Sequence, residues 1–70
     1  EVFEFEVQPN AKVTEKPIKE LNFPREAVFG GVIRNGKPYM SFGEMQIQSG
    51  DKVIVFCLPE AINTVESLFR

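Results

Sequence analysis

The stretch Ala27-Val28-Phe29-Gly30-Gly31-Val32-Ile33-Arg34-Asn35-Gly36-Lys37-Pro38-Tyr39 decides the fold. Asn35 and Gly36 both tolerate positive φ, and a two-residue Asn-Gly connection between apolar runs is the signature of a type I′ β-hairpin. The outgoing strand therefore covers Ala27 to Arg34, and the return strand covers Lys37 to Phe42 with Tyr39 and Met40 on opposite faces. Gly30-Gly31 interrupts the first of these strands. Glycine weakens a strand unless the chain must bend or something approaches closely, so a bulge is expected there.

On the C-terminal side, Gly43-Glu44 is a turn, and Met45 to Gln48 is a short extended piece. Ser49-Gly50-Asp51 is a second turn, with Asp51 in a turn role. Lys52 to Leu58 follows as a strand that is apolar on both faces. Pro59 then opens a helix at its first position, with Glu60 placed well for the helix dipole. Ala61, Ile62, Val65, Leu68 and Phe69 form its apolar stripe. On the N-terminal side, Glu1 to Val7 alternates: Phe3, Phe5 and Val7 face one way, and Val2, Glu4 and Glu6 face the other. Gln8-Pro9-Asn10 ends that strand. Thr14 to Asn22 holds a short helix, with Pro17 at its first position and Ile18 and Leu21 spaced i, i+3. Pro24 stops it. The fold class is α+β: a small, mostly antiparallel sheet of four to five strands, a short helix near the N-terminus and a C-terminal amphipathic helix.

The 70 residues make one domain, 1–70. The chain begins without Met inside a patterned segment, so it is expected to be excised from a longer protein. Its longest apolar run, Val53 to Leu58, falls far short of the roughly 18 residues a membrane span needs, which argues against direct membrane insertion. The net charge is −2, which disfavours nucleic-acid binding by a basic face. There is no His and a single Cys, Cys57. That composition rules out a structural zinc site from this chain alone, a His-based catalytic triad and an internal disulfide. Cys57, in the most apolar strand, reads as a small buried hydrophobe. Glu4 and Glu6 read as a solvated outer face. No clustered nucleophile and base is present, no metal site is expected, and the chain is not read as an enzyme. The class that remains is a small, soluble, intracellular binding or interaction domain.

The strand Val53 to Leu58 asks for cover on both faces, and so does Val28 to Ile33. One C-terminal helix covers only one face of a sheet. The simplest cover for the other is a second copy of the chain, since twofold pairing is the commonest oligomer geometry. Val28, Val32, Ile33, Val53 and Val55 are the candidate residues of that dimer interface.

Taken together, several phrases carry a resemblance. They are Phe5-Glu6-Val7, Ile18-Lys19-Glu20-Leu21-Asn22-Phe23-Pro24, Gly31-Val32-Ile33-Arg34-Asn35-Gly36, Gly50-Asp51-Lys52-Val53-Ile54-Val55-Phe56 and Leu58-Pro59-Glu60-Ala61. In this order and spacing they resemble the C-terminal domain of RCK proteins, the regulators of potassium conductance, also called TrkA-C. The resemblance implies a homodimeric regulatory domain of a Trk- or Ktr-type potassium uptake regulator. Such a domain lies in the cytoplasm, peripheral to the inner face of the membrane, and passes ligand binding on to a transporter subunit. It implies no cofactor within the domain itself. Cyclic di-AMP is the candidate ligand, and NAD or ATP enters only through a separate nucleotide-binding domain of the parent. No GxGxxG fingerprint occurs in this chain. The alternatives are a cytoplasmic insert of an anion symporter or exchanger or of a cation/proton antiporter, and a protein–protein adaptor without a small ligand. Candidate ligand residues are Arg34 and Asn35 at the hairpin, Phe29, Ile33 and Phe42 as an apolar wall for an adenine, and Ser41 beside Phe42. Ser41-Phe42-Gly43 departs from many relatives, which carry Pro and a basic or polar residue before the Gly.

Overall fold

The computed structural model describes every residue from Glu1 to Arg70. Four strands form one antiparallel sheet: β1 (Val2–Glu6), β2 (Ala27–Arg34), β3 (Lys37–Tyr39) and β4 (Lys52–Cys57), in the spatial order β1-β4-β2-β3. The hairpin turn forms as its residues dictate, with φ of 53° at Asn35 and 77° at Gly36. β3 is shorter than the expected Lys37 to Phe42. It sits at the sheet edge and contains Pro38, which has no N–H to donate, and the chain leaves the ladder after Tyr39.

β4 runs between β1 and β2, and its register sorts the side chains. Phe3 lies opposite Val55 and Phe5 opposite Val53, so the aromatic face of β1 joins Val53 and Val55 in the core. Glu4 lies opposite Ile54 and Glu6 opposite Lys52, which puts Ile54 and Phe56 with the acidic face of β1. The ladder continues past β1 at the corner: Val7 N–H donates to Asp51 O, and Gly50 N–H donates to Val7 O, both at 2.8 Å.

The second layer is helical. A 3₁₀ turn at Pro59–Ala61 leads into α1 (Ile62–Ser67), and Ala61, Val65 and Phe69 are buried against the sheet. The stripe read from the sequence is the one that packs. The Phe69 ring lies parallel to Phe5 with centroids 5.0 Å apart, and Phe23 meets Phe69 edge-on and stacks on Phe29 at 4.3 Å. The carbonyls that end the helical layer are taken by the N-terminal loop: Gln8 N–H donates to Phe69 O at 2.9 Å, and Val13 N–H donates to Leu68 O at 3.1 Å. The segment read as one short helix over Thr14 to Asn22 is two separate 3₁₀ turns, Lys12–Thr14 and Ile18–Glu20. Pro17, with ψ of 155°, is extended and separates them, and so short a run has too few hydrogen bonds to hold an α-helix. Cys57 is buried at the end of β4, and its thiol donates to Leu58 O at 3.2 Å.

Gly30 is the bulge. Phe29 lies opposite Val55 and Gly31 opposite Ile54, leaving Gly30 without a partner on β4. A Cβ at Gly30 would stand 2.6 Å from Phe56 Cε2 and 3.3 Å from Ile54 Cγ2, so any other residue there would have to displace the Phe56 ring. Gly30→Ala is expected to lower stability by about 1 kcal/mol, the mild end of overpacking costs because the half-exposed ring can swing aside. In a Phe56→Ala background the same change costs less than half as much, as read by chemical denaturation of the four-member cycle.

Candidate functional site

The bulge decides what each face of the sheet offers. In an unbroken strand, Val28 and Val32 would share one face, and Phe29 and Ile33 the other. With Gly30 inserted, Phe29 and Val32 point into the core, and Val28 and Ile33 point out of it. The open face therefore carries Val2, Phe56 and Val28 as one row across three strands, followed by Ile54 beside Gly31, then Ile33 beside Pro38. Val28 keeps 62% of its surface exposed, Val2 60% and Phe56 51%. Toward the hairpin, Gly30, Gly31, Ile33, Pro38, Met40 and Ile54 line a shallow depression of about 430 Å³. Met40 and Phe42, on the segment after β3, are exposed as well.

This placement corrects the interface residues read from the sequence. Val32, Val53 and Val55 are 1%, 0% and 0% exposed, covered by the chain's own helical layer, and offer no surface to a partner. Val28 and Ile33 do lie on the open face, together with Val2, Ile54 and Phe56, which sequence reasoning left out. β4 is apolar on both sides, so its pattern alone does not say which side the helix takes. The alternation of β1 carried that information, but only its register with β4 transfers it.

The expected adenine wall does not assemble either. Phe29 packs on Phe23 in the core, Ile33 sits across the sheet from it, and Phe42 is on the loop. Asn35 is at the tip of the hairpin in the left-handed region, and Ser41 is half-buried where the chain leaves β3.

Arg34 is bound within the chain. Its Nε donates to Asp51 Oδ1 at 2.9 Å, and its Nη2 donates to Asp51 Oδ2 at 2.7 Å and to Gln46 O at 3.0 Å. The two-pronged edge of the guanidinium that would grip a phosphate is thus occupied by a carboxylate. Its central carbon also lies 6.0 Å over the Tyr39 ring. Asp51 is 2% exposed and receives a further bond from Gln48 N–H at 2.9 Å. The turn role read from the sequence holds, but the ion pair was missed. Ile33 lies opposite Lys52, so the next residue on β2, Arg34, comes beside Asp51; that register was the missing signal.

Burial alone would raise the Asp51 carboxyl, but the hydrogen bond from Arg34, the Gln48 N–H and the Arg34 charge outweigh it and hold the group below its usual value. The hydrogen bond to Asp51 raises Arg34 against the opposing effect of burial. For a carboxyl lowered by folding, the stabilisation is complete above the unfolded value of about 4 and disappears as pH falls through the lower folded value.

The architecture is that of an RCK domain. A solved structure described as an RCK domain with cda superposes with a TM-score of 0.85 at 20% identity, covering 99% of this chain and 97% of that one. The chain belongs to the TrkA-C domain family, which it matches over residues 2–70. It is similar to the Trk system potassium uptake protein TrkA homolog 2 of Methanosarcina mazei, at 33% identity over 70 residues, all of this chain and 16% of that protein. It is also similar to the TrkA homolog of Pyrococcus abyssi, at 30% identity over 71 residues and 31% of that protein. The TrkA protein of Azorhizobium caulinodans is 29% identical over 70 residues, 15% of its length. The chain thus spans less than a third of each of these relatives.

Removing one partner of a buried pair typically costs about 3–5 kcal/mol. Asp51→Asn is expected near the lower end of that range, since the Arg34 side chain keeps 24% exposure. Denaturation midpoints followed from pH 7 down to 2 are expected to fall less steeply below pH about 4 in the variant than in the natural chain, because the variant has no Asp51 carboxylate left to protonate. Parallel acid limbs would show that the pair is not linked to folding. Val55→Asp, at a fully buried position, is expected to abolish the cooperative transition rather than report on association.

Proposed function

We propose that this chain is the regulatory, ligand-sensing and dimerising domain of a potassium uptake regulator. In this reading it lies at the cytoplasmic side of the membrane, in a parent protein that contacts a transporter subunit. It does no bond-making chemistry. Its work is a coupling free energy between a ligand site and a distant element, typically about 1–3 kcal/mol.

One observation carries the reading: an uncovered row of apolar side chains crosses three strands on the open face of the sheet, bordered on that face by Glu4, Glu6 and Lys52. Val2, Phe56 and Val28 cross it in one row, with Ile54 and Ile33 beyond. Exposed apolar surface of this continuity marks an interaction site. The depression bounded by Ile33, Pro38, Met40 and Ile54 lies at one end of that face, where a planar, partly apolar ligand would meet both the sheet and an opposing copy. The names of the similar TrkA proteins support potassium uptake as the setting, and the RCK domain solved with cda supports a ligand role for this fold. Cyclic di-AMP is the first ligand to test. With Arg34 held by Asp51, affinity would come from apolar contact more than from the guanidinium. NAD or ATP binding belongs in this proposal to a separate domain of the parent.

Molar mass by light scattering is expected to be that of two chains. Val28→Asp and Phe56→Asp, both at exposed positions, are expected to give the mass of one chain while leaving the far-ultraviolet circular dichroism unchanged. An unchanged dimer in both would count against the open face. Calorimetric titration with cyclic di-AMP is expected to saturate at one ligand per dimer. A dimer that gives no heat would leave a coupling domain that responds to a different ligand.

A further inference from the structure

The sheet has two outer edges, and they differ. β3 forms one of them; it is short, and Pro38 at its centre has no N–H to offer a further strand. β1 forms the other and pairs with β4 alone. The hydrogen bonds at the two ends of β1 fix which way its backbone points. Cys57 N–H donates to Glu1 O at 2.9 Å, and Val7 N–H donates to Asp51 O at 2.8 Å. Backbone groups alternate sides along a strand, so the odd-numbered residues from Glu1 to Val7 bond toward β4. Val2, Glu4 and Glu6 therefore turn their N–H and C=O groups outward, where no other strand of the sheet lies. The side chains along this edge alternate as well. Glu4 and Glu6 stand exposed on the side of the open face and belong to no ion pair, although Glu6 lies opposite Lys52. Phe3 and Phe5, half-buried on the other side, stack on each other with centroids 6.1 Å apart.

We propose that the β1 edge is a docking strand for an extended segment of another protein in which basic and apolar residues alternate. The segment adds to the sheet as a further antiparallel strand. Its main chain bonds the outward groups of Val2, Glu4 and Glu6, its basic side chains lie beside the two glutamates, and its apolar side chains extend the Phe3–Phe5 surface. Charge decides against a second copy of this chain as the occupant. In full antiparallel register Glu4 of one β1 would face Glu4 of the other, and a slip by one pleat either way still leaves glutamates opposite or diagonal to each other. Like charges so placed are destabilising. The two glutamates thus keep the edge from pairing with itself and select a basic strand in its place. The edge runs along the side of the sheet, so docking there does not require a dimer across the open face.

Titration of the whole chain with a peptide of alternating Lys and Val, followed by NMR, tests the proposal. Saturable binding is expected, with the amides of Val2, Glu4 and Glu6 slowed in hydrogen exchange in the complex, and a peptide of alternating Glu and Val is expected not to bind. Glu4→Lys combined with Glu6→Lys is expected to weaken the Lys-Val peptide at least about tenfold and to admit the Glu-Val peptide. Glu4→Pro removes an outward N–H without breaking a bond to β4, and is expected to weaken the Lys-Val peptide to a similar extent. It decides the matter if the charge-reversed variant does not fold. In Val28→Asp, which alters the open face alone, the titration is expected to be unchanged. No binding by the natural chain would overturn the proposal. So would binding that is lost in Val28→Asp or that leaves exchange at Val2, Glu4 and Glu6 unaltered, since the peptide would then sit elsewhere. Protection of those amides that grows with chain concentration, without peptide, would make a second copy the occupant and would overturn it too.

Discussion

The single unpaired residue in β2 sets the character of both faces of this domain. Gly30 adds one residue against β4, and the alternation of side chains reverses across it. Before the bulge, Phe29 goes inward to Phe23; after it, Val32 goes inward against Val53 and Ile33 goes outward. Without the extra residue, one end of β2 would present its apolar set to the wrong layer, because a shift of one residue moves every side chain to the opposite face. Glycine also suits the site locally, since the Phe56 ring occupies the space a Cβ would take and would have to move for one. Core packing, the open apolar row and the shallow depression all follow from that one irregularity.

The elements themselves were legible. The Asn35-Gly36 turn, the alternation of Phe3, Phe5 and Val7, the bounds of β2 and the stripe of Ala61, Val65 and Phe69 all came from local chemistry, and local chemistry decides them. The candidate surface was less legible, because its membership depends on register. β4 is apolar at Val53, Ile54, Val55 and Phe56 alike, and no local pattern says which pair faces the helix. The bulge was expected from Gly30-Gly31, but its effect on Val28 and Val32 follows only when one asks which of the two glycines is unpaired. The Asp51 ion pair was hidden for the same reason: Arg34 and Asp51 are 17 residues apart and meet through the register of β2 against β4.

Long-range pairing also explains why so short a chain holds together with only a single turn and a half of regular helix. α1 spans six residues and has no side-chain cap at its start. On its own it would be a marginal helix. It persists because Val65 and Phe69 are buried on the sheet and because Gln8 and Val13 supply donors to the carbonyls at its end. The N-terminal loop thus closes the helical layer that β1 helps to support, and each end of the chain depends on the other.

The lone thiol has a chemical consequence. Cys57 is 3% exposed, part of the hydrophobic core, and engaged with the Leu58 carbonyl. A thiol must be reached before it can be alkylated or oxidised, and burial keeps this one out of reach. The domain therefore carries a dormant sulfhydryl whose chemistry begins when the end of β4 separates from the helical layer. The rate at which an alkylating reagent consumes it measures how often that seam parts.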